Sequence, residues 1–401
     1  MTTLTTDAGT TRRIYLVTGV FSAVLYTVLL VAPAIAGPLI EKFTLEPAQT
    51  GLLFSLELGA FSLATVPAYL WLTRVPLTWA VGVCTVVVAL GHLTSGFVTD
   101  FGVLLVVRVI TSLAAGSITV VLLALGPRTR NPGRAFGIFV VAQLAMGALI
   151  LALFPIVFLG AGVSAIYWTL AGLTVLCLPV VPLLRGLDVA TPIAARRDDA
   201  RASIVPFAAG LGAILLFYVA LSGIWSFMGQ ISADAENDPG ATSFVLAIAI
   251  ATAAGILSAL LATALGESPR RGLYLVIGLG GMIVSVLLLL GMPGLVQFTI
   301  SALLFKFMWT FVLPYLLSAV AALGGGPQTM NTVNLMIGGG FAIGPLLAGS
   351  LVQSTGGFSA MIWVSAVALV LALGLTLMLT GGRLVDRTAL RTPEATGKRP
   401  R

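Results

Sequence analysis

Three residues of this chain could hold or move charge where charge is expensive: Glu57, Arg108 and Lys306. Each lies inside an apolar run, Glu57 in LLFSLELGAF, Arg108 in VLLVVRVITSL and Lys306 in LLFKFMWTFVLPYLL. A charge at the centre of a bilayer costs about 2.5–3.5 kcal/mol on insertion scales, so each needs a partner or a task. Desolvation favours the protonated form of a carboxylate and a neighbouring guanidinium favours the ionised form, so moving between those surroundings couples protonation to conformation. Ammonium and guanidinium groups recruit anions. One carboxylate cannot neutralise two cations, and the trio carries a surplus positive charge until an anion enters.

The elements that position these residues follow from composition. The chain has 401 residues, of which 58% are hydrophobic and 9% charged, with a mean hydropathy of +1.09. A water-facing domain carries about 25% charged residues, so this chain belongs in a bilayer. Cys84 and Cys177 lie in separate apolar runs, which argues against a disulfide framework. With one histidine, His92, placed near the outer end of the third span, no zinc-type cluster can be assembled and no metal or cofactor is expected. None of the three lysines is followed by Ser or Thr, so a phosphate-cradling loop is absent and direct ATP hydrolysis is not expected.

A span needs about 20 mostly apolar residues. By that rule twelve spans are expected, near 14–37, 48–70, 78–97, 102–125, 135–159, 163–184, 204–229, 241–265, 272–291, 294–323, 329–353 and 359–380. The first run is too long for the apolar core of a leader peptide and reads as a span. The expected layout is a cytoplasmic tail (1–13), a six-helix bundle (14–184), a central loop (185–203), a second six-helix bundle (204–380) and a basic tail (381–401). Two halves of similar layout are a recurring transporter design.

With Arg12 and Arg13 inside, eighteen of the twenty-one cations fall on one face, including Arg74, Arg128, Arg130, Arg134 and the 185–201 cluster. The other face holds Lys42 beside Glu41, Glu46, Asp100, Asp234, Glu236 and Asp238. The positive-inside rule then places both termini in the cytoplasm of an inner membrane protein. The net charge of +7 reflects topology and lipid headgroups and does not imply nucleic acid.

Only Glu57, Arg108 and Lys306 remain within the membrane. Spans 2, 4 and 10 run from outside inward, and the helical rise puts Glu57 about 13 Å, Arg108 about 9 Å and Lys306 about 18 Å below the outer boundary. Glu57 and Arg108 share a depth, whereas Lys306 is near the midplane. Arg108 precedes Arg134 by 26 residues and Lys306 precedes Thr332 by the same count, so each cation occupies the fourth helix of its half. Lys306 is expected to meet substrate, the alternative being an ion pair with Glu57 or a backbone carbonyl. Arg108 either pairs with Glu57 or binds ligand, and Glu57 is the candidate proton carrier or a static bridge.

Tyr26, Trp225, Phe227, Trp309 and Tyr315 are candidates for an aromatic binding wall, with interfacial placement the alternative. Trp309, three residues beyond Lys306, shares its helix face. Gln143 and Asn334 are polar candidates in spans 5 and 11, or else contacts between helices. Gly344 and Pro345, within GGGFAIGPLLAG, serve gating or close packing.

Twelve spans in two halves joined by a basic loop resemble the major facilitator superfamily. GESPRRG (266–272) is similar to that family's short Gly-acid-Arg-Arg loop, Arg108 with Gly116 to its fourth-helix arginine motif, and RAFGIF (134–139) to the beginning of its fifth helix. WLTRVPLTW keeps Arg74 without the usual glycine or aspartate, and the glycine-proline pair of antiporters is absent from span 5. The resemblance implies that spans 1, 4, 7 and 10 line a central cavity, with Arg108 and Lys306 facing it from opposite halves. The expectation is an all-α, twelve-span secondary transporter, monomeric and surrounded by lipid, that moves a small organic anion, aromatic ones included, with protons as co-substrate. Proton-coupled efflux of hydrophobic drugs is the alternative, followed by a channel or a non-transporting receptor. A membrane enzyme lacks a nucleophile–base constellation.

Overall fold

The computed structural model describes residues 8–158, 160–187, 204–236, 242–266, 270–321 and 326–389, and among these no strand occurs. Eleven helical stretches are long and apolar enough to cross a membrane: Ala8–Phe43, Pro47–Ala68, Leu77–Phe97, Phe101–Arg128, Pro132–Phe158, Gly162–Leu184, Val205–Ile231, Thr242–Leu265, Leu295–Ala321, Thr332–Thr355 and Ser359–Leu379. The ninth span, Arg271–Leu287, is a shorter apolar helix, because residues 288–291 form turns and Gly291 and Met292 are left-handed. Together they make the twelve spans expected. Large apolar side chains such as Trp79, Phe97, Ile156 and Val296 are exposed on the perimeter, where lipid would cover them.

Several boundaries move. The first helix begins at Ala8, inside the expected tail, and the last continues to Ala389, past the expected end at 380. Most of the central loop, including Arg196, Arg197 and Arg201, lies outside the described residues, as do residues 267–269 of the GESPRRG segment and the tail from 390. The 3-10 close of span 6 over Leu178–Leu184 accommodates Pro179 and Pro182, and the π turn over Phe154–Phe158 accommodates Pro155. Span 2 breaks at Ala64, three residues before Pro67, whose ring cannot follow an uninterrupted helix.

The two halves repeat one packing scheme. Span pairs 1–5, 2–4, 3–4 and 3–6 recur as 7–11, 8–10, 9–10 and 9–12. Between halves, span 2 packs on 11, 5 on 8 and 1 on 7. At the basic end Arg13 Nε donates to the Leu183 carbonyl (2.8 Å) and Tyr15 Oη to that of Asn131 (3.1 Å), so the N-terminus meets the 4–5 loop and the close of span 6.

The opposite end is sealed by main chain. A Cβ at Gly51 would collide with the Pro345 carbonyl oxygen, one at Gly349 with that of Pro47, and one at Gly229 with that of Pro33. All three contacts cross between halves, on span pairs 2–11 and 1–7. Side chains finish the seal. Gln353 Nε2 donates to Glu46 Oε2 (2.6 Å) while its Oε1 accepts from Ala48 N (3.1 Å), and Ser55 Oγ accepts from Leu346 N (2.8 Å). Pro33 has no N–H for the Leu29 carbonyl, and Trp225 Nε1 of span 7 donates to that oxygen instead (2.9 Å). A proline in one half thus creates an acceptor that an indole in the other half satisfies.

Candidate functional site

Between the halves lies a cavity of about 680 Å³, the size of a small-molecule site. Its apex holds Glu57, His92, Arg108 and Lys306, and its walls run past Thr119, Thr263 and Leu317 to Gly133, beside the basic 4–5 loop. It extends from mid-span toward the basic end and stops below the glycine–proline seal.

Span 4 starts at an N-cap, with Asp100 Oδ1 accepting from Val103 N (2.8 Å), and two turns later delivers Arg108 to the apex. There Arg108 Nε donates to Glu57 Oε1 as an ion pair, both side chains being buried. Arg108 Nη1 lies 3.1 Å from His92 Nδ1, and because a guanidinium has only donors, that nitrogen accepts and the ring proton sits on Nε2. The guanidinium also rests 5.0 Å from the Tyr167 ring centre, and His92 stacks on Tyr167. Arg108 thus has a carboxylate, an imidazole nitrogen and an aromatic face around it.

Lys306 is held differently. It is 1% exposed, and among the described residues no carboxylate lies within ion-pair distance of it. Its Nζ sits 3.5 Å from the centre of the Trp309 ring and 4.3 Å from that of Trp225, a cation–π cage. Phe305 backs the cage against both indoles. The ammonium therefore keeps its hydrogen-bond donors, which aromatic faces do not satisfy as oxygen would.

Of the residues singled out from sequence, Glu57, Arg108, Lys306, Trp309, Tyr26, Gln143 and Asn334 line the cavity. Tyr26, at a break between helices Ala8–Leu25 and Thr27–Phe43, packs edge-on against Phe61 and Phe139. Five others are not among the lining residues. Trp225 lies behind the cavity wall, against Lys306. Phe227 is buried in the apolar core. Tyr315 Oη donates to the Ala262 carbonyl (3.2 Å), a tie between spans 10 and 8. Gly344 presses on Ser222 and the Val219 carbonyl, and Pro345 belongs to the seal. A role for Glu57 as partner of Lys306 is replaced by its pairing with Arg108, whose depth it shares.

His92 and Tyr167 are not among the candidates read from sequence, and His92 stands where expected, five residues before the outer end of span 3. A usable signal existed. Spans 3 and 4 form a hairpin turning at 98–100, so His92 and Arg108 stand at comparable distances from the turn. Tyr167 gives no such signal, because span 6 reaches the site through its packing on spans 3 and 1, which spacing along the chain does not reveal.

The architecture matches known transporters. A mutant form of the nucleoside transporter NupG superposes with a TM-score of 0.73 at 15% identity, covering 92% of this chain and 99% of that one. A bacterial homolog of the human lysosomal transporter Spinster, inward-facing and unoccupied, gives 0.67 at 15% identity, with 97% and 100% covered. At such identities the likeness carries the fold alone. No curated protein matches the chain in sequence. The sequence profile of the Major Facilitator Superfamily matches residues 14–327, and the chain belongs to that family of membrane transporters.

Proposed function

We propose that this transporter carries a small organic anion together with protons, by alternating access across the cytoplasmic membrane, as a monomer with its basic end inside. One observation carries the reading: Lys306 stands at the apex of the cavity with no carboxylate partner among the described residues, while Glu57 is engaged by Arg108. An incoming carboxylate is the missing counter-charge. Trp309 and Tyr26 offer apolar surface to the body of the cargo, and Gln143 and Asn334 offer polar contacts. Glu57 takes up and releases the coupled proton as its contact with Arg108 is made and broken.

The positive-inside rule makes the basic end cytoplasmic, so the conformation described is open inward and sealed outward. The likeness to an inward-facing Spinster homolog fits this assignment. The mainly apolar wall also suits a second reading, proton-coupled export of hydrophobic drugs.

Proteoliposomes with an inward proton gradient test both. Accumulation of a labelled carboxylate, lost in Lys306→Gln, is the expected result. Extrusion of a lipophilic cation, indifferent to Lys306→Gln, would replace the anion by the drug reading.

A further inference from the structure

The repeated packing sets spans 2 and 4 in the same relation as spans 8 and 10. Glu57 and Arg108 are 51 residues apart, and so are Gly255 and Lys306. The correspondence is also one of contact. Glu57 of span 2 touches Arg108 of span 4, and Gly255 of span 8 faces span 10, its missing Cβ lying 3.5 Å from Lys306 Cγ. Where the first half places its counter-ion, the second half has no side chain.

We infer that Gly255 is a specificity-determining position: by withholding the carboxylate that its counterpart Glu57 supplies, it leaves beside Lys306 and Thr310 the subsite for the carboxylate of the cargo. This deepens the reading of the protein as an anion transporter and rests on it. Three neighbours bound the place where a side chain at 255 would start: Thr310 Oγ1 at 3.3 Å, Leu144 Cδ1 at 3.4 Å and Lys306 Cγ at 3.5 Å, and all three residues line the cavity. Thr310 stands one helical turn beyond Lys306, on the same face. Its hydroxyl donates to the Lys306 carbonyl (3.0 Å), which leaves its oxygen lone pairs, not its proton, toward other groups. The anion is therefore held chiefly by the ammonium, with Leu144 setting an apolar limit on the span 5 side.

An internal carboxylate at this place should close the subsite. Gly255→Glu installs it directly, and Gly255→Gln brings the same bulk without charge. Because a side chain at 255 starts in close contact with Thr310 and Leu144, Thr310→Glu and Thr310→Gln form an independent pair from the cavity wall. Two measurements on the full-length protein are needed. The first is the melting temperature without ligand, expected higher for each Glu variant than for its Gln mate, with the difference lost in a Lys306→Gln background. The second is proteoliposome uptake of benzoate, acetate and citrate, expected at least tenfold lower for each Glu variant than for its Gln mate.

Glu and Gln variants that melt alike and transport alike would overturn the inference while leaving anion transport by the wild type intact. Wild-type protein that takes up no carboxylate, even with Lys306-dependent melting differences, would overturn the anion reading and this subsite with it.

Discussion

Two buried cations occupy equivalent helices of the two halves and are treated in opposite ways. Arg108 is surrounded by a carboxylate, an imidazole nitrogen and a phenol ring. Lys306 has two indole faces and no anion among the described residues. The difference teaches which half holds and which half waits. A guanidinium with a fixed fork of donors suits a network of several partners at once, whereas a compact ammonium on a flexible stem can leave an aromatic face for an arriving oxygen. Equivalent helix pairs thus give one cation a carboxylate and leave the other, among the described residues, without one.

The sharpest way to break this comparison is to remove each cation and measure stability. Arg108→Gln leaves Glu57 as a buried carboxylate without its partner and should cost about 3–5 kcal/mol, seen as a large drop in melting temperature and poor recovery of folded protein. Glu57→Gln should abolish the dependence of uptake on a pH gradient while exchange of labelled for unlabelled substrate continues. Undiminished gradient dependence would remove Glu57 from the proton path.

Next in size is the seal. Gly229→Ala adds a methyl against the Pro33 carbonyl and, as overpacking does, should disfavour the sealed conformation by about 1–3 kcal/mol. Spin labels at the exposed neighbours Glu41 and Ser354 should report a shift toward longer separations, and an unchanged distribution would mean that the seam tolerates a side chain. Trp225→Phe keeps an aromatic face for Lys306 but deletes the hydrogen bond to Leu29, a loss of about 1 kcal/mol, more if the carbonyl stays dry. The smallest stability effect belongs to Lys306→Gln, which strands no counter-ion and relieves a buried charge while giving up its cation–π contacts, and uptake of anions should disappear. Equal destabilisation by Lys306→Gln and Arg108→Gln would erase the contrast between the halves.

Much of the fold was legible in the sequence. Twelve apolar runs, the excess of cations on one face and the fourth-helix position of both Arg108 and Lys306 come from length, hydropathy and counting. Depth along the helix also put Glu57 and Arg108 at one level. What spacing could not supply was rotation about the helix axis. Trp309 follows from Lys306 because the two are on one helix, three residues apart. Trp225 reaches the same ammonium from another span, with its indole N–H turned the other way, toward Leu29. Phe227 and Tyr315 carry the same residue types and face elsewhere, because aromatic character says nothing about azimuth. A lone histidine argues against a metal cluster, and no motif in the sequence around His92 marks it as an acceptor for arginine. Gly255 was invisible for a simpler reason: its contribution is the absence of a group, and only the packed partner gives that absence a meaning.

The three glycine–proline contacts have a mechanical corollary. A joint made of peptide carbonyls against bare α-carbons has no rotamers to rearrange and no contacts to surrender singly, so its plates must part together. Any added atom weakens such a joint, and saturation mutagenesis should find Gly51, Gly229 and Gly349 intolerant in a region of otherwise permissive apolar positions. The sealed end of this carrier is in that sense already as tight as its chemistry allows, and substitution can tune it only toward easier opening.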